Sequence, residues 1–203
     1  MDVITVTADA EEFTCNAYLV TGEHPTLVDA GTMPGVEAVV ADHVDRLDRV
    51  VLTHQHSDHV GELDAVLDAF DADCYAYDDH PRRTHDLSDG DTVAMGDESF
   101  DVVYTPGHAD DHVSFVSDAT LFSGDVVVYN DGAFDDGSFG RTDMPSQSRE
   151  RLIESIETLL DRLPDSVESM YAGHGDPFHA DEERVRDVIE RALSRAARRE
   201  PKY

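Results

Sequence analysis

Thr53-His54-Gln55-His56-Ser57-Asp58-His59 is the stretch on which the reading of this chain turns. Three imidazoles and a carboxylate follow directly on the apolar run Val50-Val51-Leu52. Imidazole and carboxylate together suit zinc and other borderline metals. His54 and His56 stand at i and i+2, so on an extended segment they project the same way. Asp58 and His59 come where the chain must turn into its next element. The pattern therefore reads as two half-sites, aimed at two neighbouring metals.

Working outward, the first half of the chain alternates short β-rich runs with turn residues. Val3 to Thr7, Ala17 to Val20 and Thr26 to Asp29 read as strands, punctuated by Gly22, Pro25 and Gly31. Pro34-Gly35 opens a helical stretch to about Val44, and Val50 to Thr53 is the strand that delivers the histidines. Asp58 is placed as an N-cap, because Leu63, Val66, Leu67 and Phe70 behind it form a helical face. Cys74 to Tyr77, Thr92 to Ala94, Phe100 to Thr105, His112 to Val116, Thr120 to Phe122 and Val167 to Tyr171 are further strands. Two amphipathic helices carry the stripes Leu152-Ile153-Ile156-Leu159-Leu160-Leu163 and Val185-Val188-Ile189-Ala192-Leu193-Ala196. Strands interspersed with helices predict an α/β fold with sheets packed between helical layers. No repeat or linker divides residues 1–203, so a single domain is expected. The Gly- and Asp-rich segment from Tyr129 to Ser148 is long enough to be a functional loop.

Composition narrows the class. The chain has 203 residues, 45 acidic against 15 basic, and a formal net charge of -30. Of the acids 31 are Asp, and Lys202 is the one lysine. Self-repulsion on that scale opposes a compact state, whereas in molar salt the Debye length falls to about 3 Å and screens it. The balance resembles that of proteins from salt-accumulating halophiles, and salt-dependent stability is expected. The periodic apolar segments argue against an acidic disordered chain. Nucleic acid and anionic membranes are disfavoured as partners, while an anionic small molecule is not. Cys15 and Cys74 are isolated thiols, which point to a reducing compartment. The start of the sequence shows neither a basic region nor a long apolar core, so a cytoplasmic protein without a membrane span is expected. The sequence is silent on oligomeric state.

Three further candidates each follow a β-run and adjoin a glycine. They are His108 in Thr105-Pro106-Gly107-His108, Asp125 in Ser123-Gly124-Asp125, and His174 in Gly173-His174-Gly175. Strand ends are where a sheet gathers distant residues into one site, and glycine permits close backbone approach. With the opening cluster they form a metal-ligand pattern.

In this order, His54-x-His56-x-Asp58-His59, Thr-Pro-Gly-His108, Ser-Gly-Asp125 and Gly-His174-Gly resemble the metallo-β-lactamase superfamily. The resemblance runs from Asp29-Ala30-Gly31 to the last helix. It implies a four-layer αββα sandwich. It also implies two metal ions, zinc first, with iron or manganese as alternatives. His54, His56 and His108 would hold one ion, and Asp58, His59 and His174 the other, with Asp125 bridging. Two close cations acidify a shared water, giving hydroxide near neutral pH, and Asp58 would orient that nucleophile. Phe139-Gly140-Arg141-Thr142-Asp143 resembles a segment of short glyoxalase II-like hydrolases, implying a small-molecule thioester as substrate.

Persulfide dioxygenases of the same fold also carry Gly-Arg-Thr-Asp, but use one iron held by two histidines and an aspartate. Having both His59 and His174 favours the two-metal hydrolase. A non-catalytic metal-binding protein is the third reading. Full-length glyoxalase II enzymes have a longer carboxy-terminal helical region for glutathione, so another thiol carrier is open here. Arg141 is the candidate clamp for a substrate carboxylate, and Tyr129 a candidate pocket residue. His24, His43, His80, His85 and His179 are expected to be solvated, His112 not to bind metal, and the arginines of the last helix to form a solvated face.

Overall fold

The computed structural model describes residues 1–200. By its internal contacts the chain divides into two units, Met1–Asp101 and Val102–Tyr203.

In the first unit the elements are β1 (Val3–Thr5), β2 (Tyr18–Val20), β3 (Thr26–Val28), α1 (Val36–Ala41), β4 (Arg49–Val51), α2 (Ser57–Val60), α3 (Leu63–Phe70), β5 (Asp73–Ala76), β6 (His85–Asp86) and β7 (Thr92–Met95), with β8 (Glu98–Tyr104) running across the division. β1 to β6 form one sheet in sequence order. β1, β2 and β3 are antiparallel neighbours, and β3, β4, β5 and β6 run parallel. β7 pairs antiparallel with the first half of β8, from Thr92 opposite Asp101 to Met95 opposite Glu98. The core joins Leu19, Leu27, Val50 and Cys74 of the strands to Val36 and Val40 of α1 and Leu63, Val66 and Leu67 of α3. Parallel pairing of β3 with β4 brings their carboxyl ends together, and the Asp29 amide donates to the Val51 carbonyl at 2.9 Å. The residues just past both strands therefore meet.

The helix expected behind Asp58 is two helices, and its N-cap is His56, with Asp58 inside the first turn of α2. The cause lies in the backbone. The Asp58 carbonyl accepts the Cys15 amide at 3.3 Å, while the Glu62 amide, its partner in a continuous helix, donates to the Gly31 carbonyl at 2.9 Å. Gly61 fits that crossing because a Cβ there would lie 2.7 Å from Thr32 Cγ2.

The second unit continues with β9 (Val113–Val116), β10 (Thr120–Gly124), β11 (Val127–Val128), β12 (Ser138–Phe139), α4 (Arg149–Arg162), β13 (Ser169–Ala172), β14 (Phe178–His179) and α5 (Val185–Ala197). Its sheet has the order β14-β13-β10-β9-β8. β10 is parallel to β13 and antiparallel to β9. The end of β8, the start of β9 and the ends of β10 and β13 consequently share one edge. Leu152, Ile156 and Leu159 of α4 and Val185, Val188, Ile189, Ala192 and Ala196 of α5 are buried in one cluster with Leu121, Phe139 and Met170. Each such Leu or Ile contributes roughly 1.5–3 kcal/mol on burial, against about 0–1 kcal/mol for an exposed ion pair. The apolar stripes therefore set how these helices lie. Both units are sheets faced by helices, the α/β class that the sequence predicts. Among the described residues no helix is long and apolar enough to cross a membrane.

Candidate metal centre

The first unit assembles the His54–His59 segment at the carboxyl end of β4. Behind it stands Asp29, 2% exposed and in the left-handed region at φ 58°. Its carboxylate accepts the Thr53 amide at 2.8 Å, the Thr53 hydroxyl at 2.8 Å and His59 Nδ1 at 2.8 Å. Facing a carboxylate, His59 Nδ1 must carry the proton, so in the neutral ring Nε2 is the acceptor, 3.9 Å from Asp58 Oδ2. The Thr53 hydroxyl spends its proton on Asp29, so it accepts from His54 Nδ1, 3.1 Å away. His54 Nε2 is then the acceptor, 3.0 Å from His56 Nδ1. A single buried carboxylate thus fixes the tautomers of two histidines. The ring centroids of His54 and His59 are 4.0 Å apart, and those of His54 and His56 are 4.5 Å apart.

The second unit gathers His108, Asp125 and His174 at its shared strand edge. The pairing of β10 with β13 shifts register between Phe122 and Gly124, and such a bulge re-aims the residue that follows. That residue is Asp125. Its amide donates to His112 Nε2 at 2.9 Å, and His112 Nδ1 therefore holds the proton shared with Thr105 Oγ1 at 2.8 Å. The neutral His112 is a fully buried support for the backbone of Asp125. His108 Nδ1 donates to the Arg141 carbonyl at 3.0 Å, since a carbonyl can only accept. Its Nε2, the acceptor nitrogen of the neutral ring, lies 3.2 Å from Asp125 Oδ2, and His174 Nε2 lies 3.5 Å from the same oxygen.

The loop bearing His108 is seated on α4. Ser155 Oγ donates to the Pro106 carbonyl at 2.6 Å, the Ser148 amide donates to the Gly107 carbonyl at 2.8 Å, and a Cβ on Gly107 would lie 2.4 Å from the Leu152 amide nitrogen. Gly140 packs closer still, because a Cβ there would lie 1.9 Å from the Asp125 carbonyl oxygen and 3.0 Å from His108 Nδ1.

At His59 beside Asp58 and at His108 beside Asp125, the acceptor nitrogen of a neutral ring faces a carboxylate oxygen, with the donor side of that ring turned to a fixed partner. Such an arrangement repels itself unless a cation lies among the donors, and the nitrogen and carboxylate oxygen set fits a divalent metal. The other candidates lie differently. The Arg141 guanidinium holds Asp143 in a two-pronged pair, Nε to Oδ1 at 2.9 Å and Nη2 to Oδ2 at 3.0 Å. Tyr129 is half-buried, its ring 5.0 Å from Phe178 and packed on the core. His24 is half-buried and faces Asp48 at 3.3 Å.

Of the last-helix arginines, Arg184, Arg198 and Arg199 lie on the expected solvated face, whereas Arg186, Arg191 and Arg195 depart from it. Arg191 bonds Glu183 and the Asp136 carbonyl, and Arg195 bonds the Gly137 carbonyl and lies 4.1 Å over the Phe134 ring. They pin the 130–140 segment from outside. Asp29, Thr53 and His112 were the residues sequence reasoning missed. The signal for Asp29 was present in the same form as for Asp125, an acid just past an apolar strand with glycine nearby.

A family model described as the metallo-beta-lactamase superfamily matches residues 10–174. The hydroxyacylglutathione hydrolase of Aliivibrio fischeri strain MJ11 is 30% identical over 154 residues, covering 74% of this chain and 57% of that protein. The chain thus spans a little over half the length of that relative. Among solved structures, ETHE1 from Myxococcus xanthus superposes with a TM-score of 0.71 at 26% identity, over 91% of this chain and 80% of that one. TTHA1623, solved in a di-iron-bound form, gives a TM-score of 0.68 at 27% identity, over 88% and 93%. With histidines and aspartates placed at strand ends in both units and a family match across most of its length, this chain belongs to the metallo-β-lactamase superfamily.

Proposed function

We propose that the chain is a metal-dependent hydrolase of small thioesters, similar to glyoxalase II. In this reading His54, His56 and His108 hold one ion, Asp58, His59 and His174 a second, and Asp125 both, with zinc as the first choice of metal. Bound there, such ions supply an acidified water and a Lewis acid for the thioester carbonyl. The protein's own part is orientation. Asp29 keeps the Nε2 atoms of His54 and His59 in acceptor form, the Arg141 carbonyl does so for His108, and His112 holds the backbone of Asp125. Asp58, partly exposed beside His59, is the carboxylate placed to orient a nucleophile. Arg141 and Tyr129 are the side chains offered to substrate.

The observation that carries this reading is the fixing of the His54, His59 and His108 tautomers from behind, which leaves their Nε2 atoms as acceptors suited to a cation. Protein purified without added metal should contain close to two metal ions per chain. His54→Ala should abolish hydrolysis of S-lactoyl thioesters, and intact activity in that variant removes the ligand assignment. The segment Gly140-Arg141-Thr142-Asp143, of a kind that persulfide dioxygenases of this fold also carry, supports a second reading, a one-iron persulfide dioxygenase. One iron per chain with sulfur-dependent oxygen uptake, and no thioester hydrolysis, selects it instead.

A further inference from the structure

Resting on that reading, we propose that Asp143 is an internal stand-in for the substrate's carboxylate, seated on Arg141 until an anionic thioester displaces it. Four observations carry this. First, the backbone of Arg141 belongs to the candidate centre, because its carbonyl takes the His108 Nδ1 proton at 3.0 Å. Second, its guanidinium receives a carboxylate in the two-pronged geometry that a substrate carboxylate would use. Third, the pair is easily exchanged. The Arg141 and Asp143 side chains are 43% and 54% exposed, and exposed pairs hold weakly. Fourth, the hydrogen bonds of Asp143 are local, to Arg141 and to its own backbone, and these hold its carboxyl below the usual range. Its removal therefore leaves the surrounding fold intact.

The setting adds specificity. Arg149 bonds Thr142 Oγ1 at 3.2 Å and lies 4.8 Å over the Phe139 ring, so two guanidinium groups flank one short segment of a chain with 45 acidic residues. Most anions are repelled by such a protein, and a local cationic seat selects those that reach it. An occupying aspartate sharpens the selection. A neutral substrate gains nothing from Arg141, and an anionic one must outcompete Asp143. The substrate class that follows is a thioester whose thiol portion carries a carboxylate.

The test pairs two thioesters, S-lactoyl-3-mercaptopropionate, which is anionic, and S-lactoyl-N-acetylcysteamine, which is neutral, in constant salt. Asp143→Asn should raise kcat/KM several-fold for the anionic ester and leave the neutral one unchanged. Arg141→Met should lower kcat/KM several-fold more for the anionic ester than for the neutral one. Asp45→Asn, the same charge change at an exposed position of the other unit, should do neither. Calorimetric binding of 3-(methylthio)propionate, which cannot be hydrolysed, should tighten in Asp143→Asn and weaken in Arg141→Met. That arm decides the matter even if neither ester turns over, an outcome that would instead count against the hydrolase reading. Unchanged binding in Asp143→Asn, or equal gains for both esters, overturns the proposal.

Discussion

At the residue scale, Asp29 has the widest influence for one side chain. Three donors converge on its carboxylate, and two of them set histidine tautomers. Asparagine keeps the shape and tolerates the left-handed backbone, but one of its two oxygens becomes a donor. Asp29→Asn should therefore weaken metal binding by about 10–100-fold, the range for partners that orient metal-bound histidines. Competition against a chromophoric chelator checks it, and an unchanged affinity would mean that the tautomers are set elsewhere. The seven candidate donors were legible because a dense cluster and three glycine-flanked strand ends are visible without coordinates. Asp29 carries the same strand-end signal, but its supporting role was not legible, because that role depends on β3 lying parallel to β4, a pairing that sequence periodicity does not encode. Arg141 shows the converse. Sequence marked its side chain, while the structure shows that its carbonyl is the group bound to His108.

At the element scale, the bulged end of β10 and the segment after β12 are fitted to each other with no spare volume. Gly140 is the contact point, and its requirement is steric, because a Cβ would lie 1.9 Å from the Asp125 carbonyl. Gly140→Ala must push that segment away, at a cost of about 3 kcal/mol, the upper end for overpacking. The expected result is a lower unfolding midpoint together with weakened metal retention, measured by thermal denaturation and metal analysis. A variant that keeps both would show that the segment yields freely. The long helices α4 and α5 were readable from their stripes. The two-residue strands β6, β11, β12 and β14 were not, since pieces so short carry no period and form only where a neighbour offers a ladder. The split between α2 and α3 was equally hidden, because backbone partners in distant segments cause it.

At the scale of the whole molecule, charge dominates. Acidic groups outnumber basic ones 45 to 15, so even an arginine shared by two carboxylates, as Arg82 is by Asp64 and Asp68, leaves a large excess. Salt screens attraction and repulsion alike, and with three carboxylates per cation the repulsion is the larger sum. The unfolding midpoint followed by circular dichroism should rise with potassium chloride toward molar concentrations, where the Debye length nears about 3 Å. A midpoint indifferent to salt would show that these carboxylates are too well separated to matter. The arginine contacts of α5 have a consequence in time. Chains emerge and fold from the amino end, and Arg191 and Arg195 come after all seven candidate donors. Until they emerge from the ribosome, the segment at Asp136 and Gly137 lacks its outer fastening. The donors of the first unit can be set during synthesis, and those of the second only near its end, so His108, Asp125 and His174 reach their final setting in a finished chain and not in a nascent one.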